Sequence, residues 1–276
     1  MAGKLYVVGT PIGNLGDFSP RGVETLESVD FIAAEDTRVT VKLLNHFGIN
    51  KPMLAYYEHN KMHRGGDIIA RLLSGEDCAL VSDAGMPAIS DPGEDLVRLA
   101  YENGIEVVSV PGPSALTTAL AISGMKTGRF CFEGFLSVNK PSRRAHLAEL
   151  RYEKRTMVFY EAPHKLIATL SDMFDTFGER KVALVRELTK LHEQVIHTTL
   201  SQARNLYNEE HTPRGEFVII IEGHNEDENS QSFTLEDAVE IAKRYLAMGD
   251  SASAAAKKAS ADTGLRKGDI YKALNN

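Results

Sequence analysis

Four stretches of this sequence place chemically capable side chains in loops beside strands. Cys78 to Val81 reads as a short buried strand, left through Ser82-Asp83-Ala84-Gly85-Met86-Pro87. Gly85 admits close backbone approach, Pro87 stiffens the loop, and Ser82 and Asp83 add polar groups. A helix restarts at Asp91-Pro92, with Asp91 as N-cap and Pro92 at the first helical position. A strand that ends in a small-residue loop and feeds a helix is where open α/β sheets place ligands. Glu35-Asp36-Thr37-Arg38 follows the apolar Phe31-Ile32-Ala33-Ala34, and core packing does not explain charges at a strand's end. Phe159-Tyr160-Glu161-Ala162-Pro163-His164, and Thr212-Pro213-Arg214-Gly215-Glu216 before the last strand, are further loop ends of chemical character. Asp17, Asp36, Asp83 and Glu161 sit at or just after strand ends, as a base facing a cleft or as loop caps and salt-bridge partners. Arg38 and Arg214 offer the planar guanidinium that suits phosphate. His59, His63 and His164 lie in or near loops, without the spacing of a metal cage.

The elements that position these residues alternate strictly in the first half. Lys4–Val8 predicts a strand broken at Gly9-Thr10-Pro11-Ile12-Gly13-Asn14-Leu15-Gly16-Asp17, and Ser19-Pro20 caps the next helix. This loop is neither G-x-G-x-x-G nor a P-loop, so it is no nucleotide triphosphate site. Helices over Val39–Phe47, around Ile68–Leu73 and over Glu94–Asn103 separate strands at Phe31–Ala34, Leu54–Tyr57, Cys78–Val81 and Ile105–Val110. The last is continuously apolar, which predicts burial on both faces. It runs into Pro111-Gly112-Pro113-Ser114-Ala115, where Ser114 could cap the helix Leu116–Ser123. This is a strand–helix repeat around a largely parallel sheet.

From Phe130 the rhythm changes. Strands are expected at Phe130–Phe135, Thr156–Tyr160, Lys181–Arg186, Glu193–Thr199 and Glu216–Glu222, with helices at Arg143–Tyr152, Lys165–Phe177 and Ser201–Glu209. The short turn between Lys181–Arg186 and Glu193–Thr199 predicts a hairpin and therefore a mixed sheet. The acidic stretch Gly223-His224-Asn225-Glu226-Asp227-Glu228-Asn229-Ser230-Gln231 reads as a linker. Thr234 then caps a helix, and two shorter ones follow at Ser251–Ser260 and Lys267–Leu274, broken at Asp262-Thr263-Gly264. They resemble a helix-turn-helix module or a helical cap on the same subunit. The expected organisation is two α/β domains, 1–115 and 116–222. A linker over 223–232 and a three-helix module over 233–276 complete it.

Composition limits the function. The chain has 276 residues, 43% of them hydrophobic, and no apolar run approaches the roughly 20 residues of a membrane span. Its start is too short in its apolar part for a signal peptide. Cys78 and Cys131 lie in apolar runs as buried thiols rather than a disulfide or metal pair, and a reduced cytoplasmic setting is expected. A net charge of −7 argues against coating naked nucleic acid non-specifically. Lys126–Arg155 is nevertheless net +5 and Ser251–Asn276 net +3, so an RNA partner would meet these local patches.

Tyr6–Leu15, Ala34–Arg38, Ser82–Gly93 and Val110–Ala115 together resemble the tetrapyrrole (corrin/porphyrin) methylase superfamily, and within it the branch acting on small-subunit ribosomal RNA. The likeness covers essentially the whole chain, including Phe159-Tyr160-Glu161 and the three-helix tail. It implies S-adenosylmethionine-dependent 2′-O-methylation of a decoding-site cytidine, by a homodimer of two-domain α/β subunits that hold the cofactor in the interdomain cleft. Porphyrinoid-modifying members resemble G-x-G-x-G-D-x-x-L-L-T at the first loop. This chain has Gly9-Thr10-Pro11-Ile12-Gly13-Asn14-Leu15 instead, which favours RNA. A porphyrinoid methyltransferase and a non-catalytic RNA-binding assembly factor are the alternatives.

Methyl transfer from a sulfonium is an in-line displacement, so the protein mainly aligns donor and acceptor. The resemblance and loop positions point to Pro11, Asp83, Gly85, Ala88, Ile89, Ser90, Ser114, Ala115, Tyr160, Glu161, Arg214 and Gly215 for the cofactor. A hydroxyl is a poor nucleophile near neutral pH and needs a base or a cation beside it. Asp36 with Arg38 is the expected catalytic, acceptor-side pair. Arg143, Arg144, His146, Lys257 and Lys258 are the expected RNA contacts, with the assembled 30S subunit as partner. No metal is expected.

Overall fold

The computed structural model describes residues 1–207, 212–225, 234–248, 250–263 and 265–274. It divides into two compact units, Met1–Gly223 and His224–Asn276. The first begins with a parallel sheet of β1 (Leu5–Val8), β2 (Phe31–Ala34), β3 (Met53–Ala55), β4 (Cys78–Val81) and β5 (Val107–Val110), ordered β3-β2-β4-β1-β5. Parallel neighbours require long crossovers. These are α1 (Pro20–Ser28), α2 (Thr37–Phe47), α3 (Lys61–Leu73) and α4 (Gly93–Glu102). Every residue of β2 and β4 is buried, as expected of central strands covered on both faces.

β5 departs from the sequence pattern. Val107 and Val108 are half-buried and Ser109 is exposed, because among the described residues β5 is an edge strand with β1 as its one neighbour. Its apolar composition encodes strand propensity, not two covered faces.

The second sheet contains β6 (Phe130–Phe135), β7 (Thr156–Glu161), β8 (Lys181–Arg186), β9 (Gln194–Thr199) and β10 (Phe217–Ile221), ordered β6-β7-β10-β8-β9. β6 and β7 are parallel and the other pairs antiparallel, with β8 and β9 forming the expected hairpin. α5 (Ala115–Ile122) follows β5, and α6 (Lys140–Glu149), α7 (Leu166–Phe177) and α8 (Leu200–Ala203) connect the second set of strands. α6 begins earlier than apolar spacing suggested, because the Asn139 side chain caps it by accepting from the Ser142 amide. α8 is shorter than the expected Ser201–Glu209, whose last two residues lie outside the described set.

Caps set the helices that frame the loops. Ser19 accepts from the Gly22 amide and Asp36 from the Arg38 amide. Asp91 acts one residue before the position predicted. α4 starts at Gly93, and Asp91 Oδ1 accepts from the Gly93 amide at 2.7 Å and the Ala88 amide at 2.9 Å, tying the β4 loop to its helix.

The second unit contains α9 (Leu235–Ala247), α10 (Ala252–Thr263) and α11 (Lys267–Leu274). Thr234 and Asp237 form a reciprocal capping box on α9. Ala238, Ala242, Ala255, Ala256, Ala259 and Ile270 form its small core, in which alanines let the helices approach closely. Linker residues 226–232 and Gly264 lie outside the described residues. Cys78 is buried, Cys131 half-buried, and both are free thiols. Among the described residues no helix is long and apolar enough to cross a membrane.

Candidate active site

The C-terminal ends of β2 and β4 meet the start of α5 and the end of β7 around a cavity of about 450 Å³. Asp83, Ile89, Ser90 and Ala115 line it from the first sheet's side, and Tyr160 and Glu161 from the second. The β4 loop is locked to the β1 loop by a short antiparallel bridge. Thr10 N donates to Gly85 O at 2.9 Å and Gly85 N to Thr10 O at 3.1 Å. Gly85 has φ +87°, a conformation that only glycine adopts freely. Ala88 and Ser90 hold φ +67° and +68° without being glycine. Each such residue costs on the order of 1 kcal/mol, and strain of this kind concentrates at ligand clamps.

The β1 and β5 loops touch backbone to backbone. A side-chain carbon on Gly9 would lie 2.7 Å from Gly112 Cα. Pro11, on the same β1 loop, lines an adjoining cavity of about 330 Å³ that shares Asp83 and Ala84 with the first.

Tyr160 joins the two sheets. Its hydroxyl accepts a hydrogen bond from the Leu116 amide at 2.9 Å, and its ring packs edge-on against Phe132 with centroids 4.8 Å apart. Burial raises the Tyr160 phenol above its ordinary value, an effect the Leu116 amide opposes. This bond corrects the expected cap of α5. Ser114 occupies the N-cap position, but its side chain makes no capping bond, and Tyr160 satisfies an amide of the first turn from the other sheet.

Glu161 is 2% exposed. Its carboxylate accepts from the Ala162 amide at 2.8 Å and the Thr169 hydroxyl at 2.6 Å, and lies 2.9 Å from Lys165 Nζ. These partners make Glu161 a brace for the cavity wall. Arg214 and Gly215 do not line the cavity. Arg214 is exposed, its carbonyl accepting from Arg186 Nε, and Gly215 packs against the Glu187 side chain, while the neighbouring Glu216 reaches the wall.

Asp36 is both the N-cap of α2 and the partner of Arg38. Its Oδ1 accepts from the Arg38 amide at 2.8 Å, and Arg38 Nη2 lies 2.6 Å from Oδ2. These hydrogen bonds hold the Asp36 carboxyl down at about 2, where it is a weak base. Within the expected Asp36–Arg38 pair, Asp36 is thus held ionised against the guanidinium, and the base among the strand-end carboxylates is to be sought beside it. Arg38, with a side chain 89% exposed, stands free toward solvent on its other edge.

The residue that sequence reasoning passed over is Glu35. It is half-buried and lines the 450 Å³ cavity, its carboxylate accepting from the Asp83 amide at 3.3 Å. Burial pushes it above the usual glutamate range against that amide, and the charges of Asp83, Asp91 and Asp36 push further. Asp83 is raised by burial too, opposed by the Asp36 amide that donates to it at 3.0 Å. The signal that could have singled out Glu35 was the capping pattern: Asp36 at the N-cap spacing before α2 is the structural acid.

The proposed RNA residues separate sharply. Arg143 is 6% exposed, with Nε 2.9 Å from Asp172 Oδ2 and Nη1 donating to the Ser137 carbonyl, so it packs the interior instead of facing RNA. Arg144 is half exposed, its Nε 2.7 Å from Asp172 Oδ1. His146 meets Glu133 at 3.0 Å. In the second unit Lys257 is exposed, and Lys258 pairs with Asp250 at 2.7 Å. Asp17, His59, His63 and His164 are exposed, and among the described residues no cluster of His, Cys, Asp and Glu could hold a metal.

Residues 4–204 match the family model for tetrapyrrole (corrin/porphyrin) methylases. The fold agrees with solved members at low identity. A cobalt precorrin-4 methyltransferase superposes with a TM-score of 0.59 at 17% identity, over 79% of this chain and 94% of that one. A Thermus thermophilus uroporphyrin-III C-methyltransferase complexed with S-adenosylhomocysteine gives 0.56 at 15%, over 79% and 97%. Sequence relatives are much nearer. The "Ribosomal RNA small subunit methyltransferase I" of a Synechocystis strain is 47% identical over 270 residues, 98% of this chain and 96% of that protein. The protein of the same name from Bacillus subtilis is 44% identical over 276 residues, 99% and 94%. The chain belongs to the tetrapyrrole methylase family, in the branch whose members are named ribosomal RNA small subunit methyltransferase I.

Proposed function

We propose that this protein transfers a methyl group from S-adenosylmethionine to the 2′-hydroxyl of a decoding-site cytidine in small-subunit ribosomal RNA. The observation that carries the reading is near-full-length identity of 44–47% to relatives named for that RNA, spanning both sheets and the helical module. The family resemblance extends it to a cytoplasmic homodimer acting on the assembled 30S subunit.

The cavity suits the donor on its own terms. About 450 Å³ is within the usual size of small-molecule sites. Its wall combines the carboxylates of Asp83 and Glu35, complementary to a sulfonium cation, with apolar surface from Ile89, Ala115 and Val218 for a nucleoside. The strained Ala88–Ser90 turn and the braced Tyr160–Ala162 segment hold these two walls. Bound there, S-adenosylmethionine supplies an electrophilic methyl carbon. The chain's own residues bind and orient it, exclude water, and present the acceptor.

On this reading Arg38, Arg144, His146, Lys257 and Lys258 meet RNA phosphates, and the buried Arg143 is not among them. Transfer of labelled methyl to small subunits, with bare RNA and a porphyrinoid as competing acceptors, tests the reading. Labelling confined to the porphyrinoid would overturn it.

A further inference from the structure

A second cavity, also of about 450 Å³, opens at the ends of β2 and β3, and Asp36, Arg38, Ala55 and Tyr57 line it. Glu35 is the residue common to this cavity and to the one assigned to the methyl donor. Tyr57 is 41% exposed, and the His59 ring stands edge-on to it at 6.4 Å between centroids. An exposed aromatic surface beside an arginine is the pair of features that holds an unstacked nucleotide, the ring stacking the base and the guanidinium meeting phosphate.

We propose that this second cavity receives the acceptor nucleotide and that Glu35, on the wall between the two cavities, is the general base for its hydroxyl. The proposal rests on the hydroxyl-methylation reading above. Asp36 and Arg38 then act as a positioning pair. Arg38 holds Asp36, Asp36 caps α2, and the Asp36 amide fixes Asp83, whose own amide donates to Glu35. The Arg38 grip keeps Asp36 ionised and weakly basic, while Glu35 makes no ion pair among the described residues. As the acceptor oxygen bonds the methyl carbon, the electron pair of the carbon–sulfur bond returns to sulfur. The hydroxyl proton passes to a Glu35 carboxylate oxygen and from there to solvent. A base that must be ionised at neutral pH and still take up a proton works best with an affinity above that of an ordinary carboxylate. Burial and the neighbouring Asp83, Asp91 and Asp36 carboxylates shift Glu35 in that direction, whereas the Arg38 charge acts on Asp83 and Asp36 in the opposite one.

The test compares E35Q with D36N on small subunits prepared from cells lacking the protein. Single-turnover rate, S-adenosylhomocysteine affinity, and subunit binding by the cofactor-free protein are measured for each. E35Q should lower the rate about 100-fold, leave both affinities within about twofold, and abolish the acid limb of the rate–pH profile. D36N should cost less than E35Q and keep that limb. An E35Q rate within tenfold of wild type, an unchanged acid limb, or a larger loss in D36N would each overturn the assignment. If the wild-type product carries its methyl on a base, it is the hydroxyl-methylation reading that fails, whatever E35Q does.

Discussion

The Tyr160 hydroxyl, on the second sheet, accepts the Leu116 amide of the first turn of α5 at 2.9 Å, across 44 positions of sequence. It is a helix cap supplied from the opposite wall of the cavity, so the geometry of the cleft and the start of α5 are set together. Tyr160→Phe removes the acceptor and leaves a partly buried amide unsatisfied. A loss of about 1–2 kcal/mol in unfolding free energy is expected, with weakened S-adenosylhomocysteine binding by calorimetry. Unchanged affinity would show that the bond stabilises α5 without shaping the site.

The β1 and β5 loops are a second constraint. Gly9→Ala would drive a methyl group against the Gly112 backbone and Met86 Sδ. Overpacking of that kind costs about 1–3 kcal/mol. The two loops would separate, so a lower melting temperature and reduced S-adenosylhomocysteine affinity are expected together.

Arg143 and Arg144 look equivalent in sequence and are not in the structure. Arg143→Met leaves Asp172 buried with one cationic partner, and a loss of roughly 3 kcal/mol is expected. Arg144→Glu should preserve the interior pairing of Arg143 and reduce the salt dependence of subunit binding by about one unit of slope. Denaturation and binding titrations of the two variants separate the roles.

The same cluster has a pH signature. Burial pushes the Asp172 carboxyl up, but the hydrogen bonds and charges of Arg144 and Arg143 outweigh it and hold the group below its ordinary value of 3.8. A carboxyl lowered on folding contributes stability that is fully present above its unfolded value and lost as pH falls through its folded one. Wild type should therefore lose its advantage over Arg143→Met as pH drops below about 4. Urea midpoints measured between pH 7 and 3 check this, and a constant gap would deny the pairing its role.

Much of this was legible in the residues. Gly85, Pro87 and Asp91 mark the β4 loop, Ser19 and Thr234 cap the helices they precede, and the short turn before Glu193 gives the hairpin. What was not legible depends on partners far along the chain. Arg143 is buried because Asp172, 29 residues on, lies on α7 opposite it. β5 is an edge strand because of sheet order, which apolar composition does not encode. Glu35 and Asp36 are chemically alike and adjacent. Only the fold gives one to Arg38 and sets the other between two cavities.

The most direct test of the central claim is nucleoside analysis of small-subunit ribosomal RNA after incubation with this protein and labelled S-adenosylmethionine. The account predicts label in 2′-O-methylcytidine from the decoding site, and none when the methyl donor is omitted. Label on a base, or none despite demonstrated binding of S-adenosylhomocysteine, would contradict it.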